Sequence, residues 1–176
     1  MLDQNKYDYT NNGEYFESQE ELEAYINKNV GNLNSIEKAL HVDITLSSPD
    51  NLPPGYKMVG HDVFNPKGYA VGGVTMSTGG NNSKIFITPS AKGDFFGGVR
   101  ATSQTIVHEL VHANHLFLRL PNFNRYSEFA ASTYTYAYLK AYGSKNGASF
   151  YLPYVKPTPS AFSWRNLPKI INTGLK

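Results

Sequence analysis

The stretch Ser103-Gln104-Thr105-Ile106-Val107-His108-Glu109-Leu110-Val111-His112-Ala113-Asn114-His115-Leu116-Phe117-Leu118 decides the reading of this 176-residue chain. It contains neither Gly nor Pro, Thr102 or Ser103 can cap its start, and Leu120-Pro121-Asn122 closes it, so a helix is predicted over residues 102–118. Within it stands His-Glu-x-x-His. Residues four apart sit about one turn, roughly 5.4 Å, above one another, so the imidazoles of His108 and His112 can reach a single ion. Glu109 is turned about 100° away, close enough to reach water at that ion without ligating it. Leu110 and Val111 are left to face the core.

Zinc sites with two helix histidines take a third protein ligand and keep a fourth position for water. Downstream of His112 the sequence offers one histidine, His115, and one carboxylate, Glu128. His115 shares the stripe of His108 but lies about 10.5 Å along the axis, too far for nitrogens that must each sit about 2 Å from one ion. It is assigned an outer, cleft-wall or structural role. Glu128 has the better geometry, because a turn over residues 120–125 lets a second helix, residues 126–142, fold back antiparallel with Glu128 in its first turn. Ala131, Ser132 and Thr135 share its stripe and permit close approach, while Tyr134 and Tyr138 point elsewhere. The metal set is therefore His108, His112 and Glu128, for one Zn2+.

Further out, Ser18 and Glu21 form a capping-box pattern before Leu22, Tyr25 and Ile26, giving a helix over residues 18–30. A short helix follows at 35–40, and residues 41–46 alternate as a strand with Val42, Ile44 and Leu46 on one face. Residues 47–55, with three prolines, read as a loop. Residues 69–76 and 84–88 read as two strands joined through Gly79-Gly80-Asn81-Asn82, whose residues tolerate positive φ. Beyond Gly143, four prolines make the last thirty residues mostly irregular, with Phe150, Tyr151, Phe162 and Trp164 packed onto the body.

A composition of 40% hydrophobic and 17% charged residues suits one domain over residues 1–176 and excludes a disordered chain. No run approaches the roughly 18 apolar residues of a membrane helix, and residues 1–10 lack the layout of a signal peptide. With no cysteine there is no disulfide framework, thiolate metal site or cysteine nucleophile. Residues 1–50 carry ten acids against three lysines, and the remainder thirteen bases against four acids: Asp62, Asp94, Glu109 and Glu128. The bases are scattered singly, which argues against nucleic acid. The scarcity of acids makes a decorative Glu128 improbable and leaves its metal role the better reading.

Thr105 to His112 followed by Tyr126-Ser127-Glu128-Phe129-Ala130-Ala131-Ser132 resembles the gluzincin branch of the zincin metallopeptidases, a match over residues 84–142. The resemblance implies an α+β zincin-like fold and hydrolysis of a peptide or protein substrate through a zinc-activated water, with Glu109 as general base. It also implies that residues 84–88 form the edge strand beside the cleft, although an interior strand fits the same residues. An oxyanion donor is expected, with Tyr151, Tyr154, Arg165, His61 and His115 as candidates. Two positions depart from the family pattern: Asn114 replaces an apolar residue, and Ser132 stands where many relatives carry an acid that orients a histidine. A fainter resemblance to metallopeptidase modules of bacterial polymorphic toxins of the Rhs type implies delivery within a larger chain and an immunity or inhibitor protein as partner. Residues 1–50 would then be a linker or a shield for the basic body. A different class of function, a non-catalytic domain with a structural zinc and a protein partner, uses the same three ligands but gives Glu109 no task.

Overall fold

A computed structural model describes residues 14–92 and 101–172. The expectations for residues 1–10 and for Asp94 lie outside the described residues. Ser18 caps α1 (Gln19–Asn29), its hydroxyl accepting from the Glu21 amide at 3.2 Å, and Leu22 and Ile26 are buried beneath it. Asn32 caps α2 (Leu33–Leu40), which starts two residues before the predicted position because Asn32, not Ser35, supplies the capping oxygen. His41 closes α2 with a left-handed φ of 49° and leads into β1 (Val42–Leu46).

Sheet order is β1-β6-β5, with β5 spanning Gly73–Gly79 and β6 spanning Asn82–Ile87. β6 runs parallel to β1, pairing Ile85 with Ile44, and antiparallel to β5, pairing Ile85 with Thr75. The predicted hairpin forms, and its positive φ values fall on Gly79 (113°) and Gly80 (60°) rather than on the asparagines. Since β6 occupies the centre of the sheet, residues 84–88 are not the edge strand that the family resemblance implied. Among the described residues the edges of this sheet are β1 and β5. The strand predicted over residues 69–76 also divides: β4 (Ala70–Val71) joins a second sheet with β2 (Lys57–Val59) and β3 (Asp62–Phe64), and β5 begins after Gly72. Thr88 fastens this break, donating from its amide to the Gly72 carbonyl at 3.0 Å and from its hydroxyl to the Val71 carbonyl at 2.6 Å.

α3 (Ala101–Phe117) packs on β5 and β6, and α4 (Phe123–Ala141) packs on α3. Thr102 and Ser103 lie within α3 instead of capping it. They tie it to its surroundings, Thr102 through the Ala91 carbonyl at 2.9 Å and Ser103 through the Tyr25 hydroxyl at 2.8 Å. Between the helices the chain reverses through left-handed residues at Arg119 (φ 51°) and Asn122 (φ 57°). α4 thus begins three residues before the predicted start. After Gly143 (φ 77°) the chain is less irregular than predicted: α5 (Lys145–Tyr151) packs on α4, and short 3-10 turns follow at Leu152–Tyr154, Ser160–Phe162 and Leu167–Lys169. Gly147 permits α5 to form there, since a Cβ at that position would lie 2.9 Å from the Ser144 hydroxyl and 3.3 Å from Leu139.

The molecule is a mixed α and β structure with small sheets, and one buried cluster runs from Phe16 and Leu22 through Ile44, Ile85 and Leu110 to Tyr134, Leu167 and Ile171. Among the described residues no helix is long and apolar enough to cross a membrane. Ile85, fully buried on the central strand, is the natural probe of this core. Ile85→Ala is expected to cost about 2–5 kcal/mol in chemical denaturation, against less than about 0.5 kcal/mol for Val59→Ala at a position 66% exposed.

Candidate metal centre

α3 divides its faces as its sequence requires. Ile106, Val107, Leu110, Val111 and Ala113 are fully buried, and on another face His108 and His112 turn towards α4. The surface that α4 presents is small: Ser127, Ala131 and Thr135 are all buried there, and the helices approach closely enough for Glu128 to reach both imidazoles. Nε2 of His108 lies 3.3 Å from Oε1 of Glu128, and Nε2 of His112 lies 3.2 Å from Oε2. One ligand atom from each of the three residues lies within 4.8 Å of the others, which makes this group able to hold a metal ion. It is the one such group found among the described residues. Because α4 starts at Phe123, Glu128 stands in the second turn rather than the first. Attraction to the helix N-terminus, confined to the first turn, does not account for it.

Each imidazole also has its other nitrogen on a hydroxyl from α4. Nδ1 of His108 is 3.0 Å from Oγ1 of Thr135, whose own proton goes to the Ala131 carbonyl at 2.8 Å. Having spent that proton, Thr135 can only accept from His108, so Nδ1 carries a hydrogen and Nε2 is left to Glu128, holding a shared proton there and offering a lone pair once that proton leaves. That is the tautomer a metal requires, and the donor set therefore fits a divalent ion. Nδ1 of His112 lies 2.7 Å from Oγ of Ser127. Ser132, at the position where an orienting acid was sought, is fully buried with its hydroxyl unbonded among the described residues. Thr135 and Ser127 perform that task. Thr135 was legible as a small residue on the Glu128 stripe, and Ser127 as its neighbour, but neither had a histidine assigned to it.

Burial disfavours a charged Glu128, yet His108 and then His112 hold its carboxyl well below the usual carboxylate range. Burial likewise opposes a charged His108, but the charge and hydrogen bond of Glu128, aided by Glu109, leave its pKa raised. In the ion-free protein the two share a proton that a metal would displace. His115 is fully buried away from the three ligands, with Nδ1 on the Ser127 hydroxyl at 3.0 Å and its ring edge-on to Phe162. Burial and the nearby His112 push its pKa down to about 4.

Glu109 stands outside the ligand group, as its angular offset predicts. The hydroxyl of Thr75 on β5 lies 2.6 Å from Oε2 of Glu109 and 3.1 Å from the Glu109 carbonyl, sharing one proton between them with the carboxylate the nearer acceptor. Gly73 makes the room, since a Cβ there would approach Glu109 Cγ to 3.0 Å. Tyr56, which the sequence did not single out, feels the same carboxylate: burial first, then the charge of Glu109, raises its phenol pKa. Of the expected oxyanion donors, Tyr151 lies beside His108 with ring centroids 5.9 Å apart. His61 instead stacks on Tyr15 at 3.4 Å, His115 is sealed behind Ser127, Tyr154 leans on Phe150, and Arg165 is exposed. Comparison with protein-family models, curated proteins and solved structures finds no match.

His115 sets the sign of a pH effect in the ion-free protein. Its folded pKa of about 4 lies below the ~6.5 of an unfolded histidine. Above that range both states are neutral and nothing is lost; as pH falls from about 6.5 towards 4, only the unfolded chain gains the proton, and stability drops. His108 and Glu128 are present in wild type and variant alike, so the difference between the two reports His115 together with its contact to Ser127. His115→Phe is expected to show a shallower fall in denaturation midpoint over that window. Parallel curves would show that His115 is not held neutral.

Proposed function

We propose that this chain is a zinc-dependent metallopeptidase with a zincin-like fold, cleaving peptide bonds of a protein or peptide substrate. The observation that carries the proposal is the division of labour on α3. His108 and His112 converge on Glu128, while Glu109, one residue along, is held off that group by Thr75. A structural metal site needs the first three residues and has no use for the fourth. Zinc, when bound by His108, His112 and Glu128, supplies a Lewis acid that polarises a carbonyl and acidifies water.

The chain's own groups do the rest. Glu109 accepts the proton of the attacking water and returns it to the leaving amine. The Thr75 hydroxyl keeps Oε2 occupied as an acceptor, leaving Oε1 to take that proton and fixing the plane of the carboxylate. Tyr151, beside His108, is the group we assign to the oxyanion. β5 is an edge strand that carries Thr75 past Glu109, so an extended substrate adding to this edge would bring its main chain along the base.

Glu109→Gln is expected to retain one zinc per chain by elemental analysis and to lose at least about 100-fold in cleavage of a mixed peptide library. Thr75→Val should lower cleavage by about tenfold, the scale of one lost hydrogen bond, with Thr75→Ser restoring most of it. If wild type and Glu109→Gln both bind zinc and neither cleaves any peptide, the centre is structural and the surface serves a partner. If His112→Ala keeps its full zinc, the ligand assignment itself is wrong.

A further inference from the structure

The C-terminal segment reaches the metal centre through a line of hydrogen bonds whose direction is set at its far end. Phe162, in the 3-10 turn Ser160–Phe162, places its backbone carbonyl 3.3 Å from Nε2 of His115. A carbonyl only accepts, so Nε2 of His115 carries the hydrogen. A neutral imidazole has one N–H, which leaves Nδ1 of His115 as an acceptor. The group facing it at 3.0 Å is the Ser127 hydroxyl, which must donate. With its single proton spent on His115, Ser127 can only accept from the third member, Nδ1 of His112 at 2.7 Å. His112 then carries a hydrogen on Nδ1, which leaves Nε2, the nitrogen that faces Glu128, as the one able to turn its lone pair to an ion.

We propose that Phe162, His115 and Ser127 form a one-directional hydrogen-bond chain that fixes His112 in its metal-ligating tautomer, which makes Ser127 and His115 positioning residues of the centre. The inference rests on the metal-binding reading of His108, His112 and Glu128. The links at His115 are sheltered, since His115 and Ser127 are buried and Phe162 is 2% exposed, packed edge-on against His115 and tilted against Tyr126, while the His112 link is part-buried. Water therefore does not compete at His115, and a rotated Ser127 proton would set donor against donor at Nδ1 of His112 and acceptor against acceptor at Nδ1 of His115. The arrangement parallels that at His108, where Thr135 spends its proton on a carbonyl of its own helix. The difference is that the His112 line leaves α4 and ends on a segment about fifty residues downstream of α3, so a turn far from the motif contributes to the metal site.

Two measurements on the full chain test this. Zinc affinity, read by chelator competition, is expected to fall about 10–100-fold in Ser127→Ala, as for lost outer partners of ligating histidines, and by less than about threefold in Ser127→Thr, which keeps the hydroxyl. His115→Phe should weaken zinc by at least about threefold, and the double variant should be no weaker than Ser127→Ala, because His115 acts only through that hydroxyl. Ring-nitrogen NMR of wild type is expected to show His115 protonated on Nε2 and His112 on Nδ1, a readout that survives if a variant fails to fold. Unchanged affinity in Ser127→Ala, additive losses in the double variant, or His115 protonated on Nδ1 would overturn the chain while leaving the metal site standing. Wild type without stoichiometric zinc would instead remove the metal reading, and the inference with it.

Discussion

Two imidazoles and one carboxylate meeting across the α3–α4 interface set the terms for much of this structure. Three groups that each offer a lone pair are costly to bring together in a partly buried place, because nothing but a shared proton or a cation lets them coexist. The ion-free protein uses the proton, with His108 raised and Glu128 lowered as two sides of one interaction. Reaching this arrangement requires helix axes close together, and α4 supplies the closeness with Ser127, Ala131 and Thr135 where larger side chains would have held Glu128 away. It also requires the sharp reversal at Arg119 and Asn122, where the chain accepts left-handed backbone at two non-glycine residues. Such backbone is tolerated when packing on both sides over-determines it.

Strand composition explains why β5 rather than β6 lies at a sheet edge beside Glu109. β6 is apolar on both faces near its end, with Ile85, Phe86 and Ile87 all buried, and belongs in the middle of a sheet. β5 is built of small and hydroxyl-bearing residues, Gly73, Thr75, Ser77 and Gly79 among them, and suits an edge that must pass closely under α3. Gly73 and Thr75 act as a pair there: one removes a side chain that would collide with Glu109, and the other supplies the hydroxyl that holds it.

How much could be read beforehand follows from the range of the interactions involved. The grouping of His108 and His112 with Glu109 turned aside, the two long helices and the β5–β6 hairpin rest on contacts within one turn or on a short connection, and those periodicities are written locally. Glu128 was legible because carboxylates are scarce after residue 50 and helix geometry excluded His115. The division of residues 69–76 was not legible, since the break at Gly72 is decided by Thr88, sixteen residues away. The rank of β6 within the sheet depends on pairing with β1, about forty residues earlier. α5 was obscured by Gly147, which a propensity argument counts against a helix and which close packing on Leu139 makes necessary. Ser127 and Thr135 were hidden for another reason. A hydroxyl beside a glutamate carries no signal until it is known which nitrogen it faces.

The use of hydroxyls, not carboxylates, around the ligands has an electrostatic consequence. A carboxylate that orients a ligating histidine adds a negative charge a few ångströms from the ion and makes the imidazole a stronger donor, and both effects reduce the positive field left for other groups. Serine and threonine fix the ring just as firmly, provided that their protons are committed elsewhere, as Thr135 commits its proton to the Ala131 carbonyl. They add no charge. Two neutral imidazoles and Glu128 would leave a divalent cation held there with one net positive charge. Under the proposed function, that residual charge would favour an oxyanion and lower the pKa of bound water. Were an ion held there, an outer layer of hydroxyls would favour polarisation over tight retention, and the proposed line to Phe162 would recover by rigidity part of what a carboxylate would supply by charge.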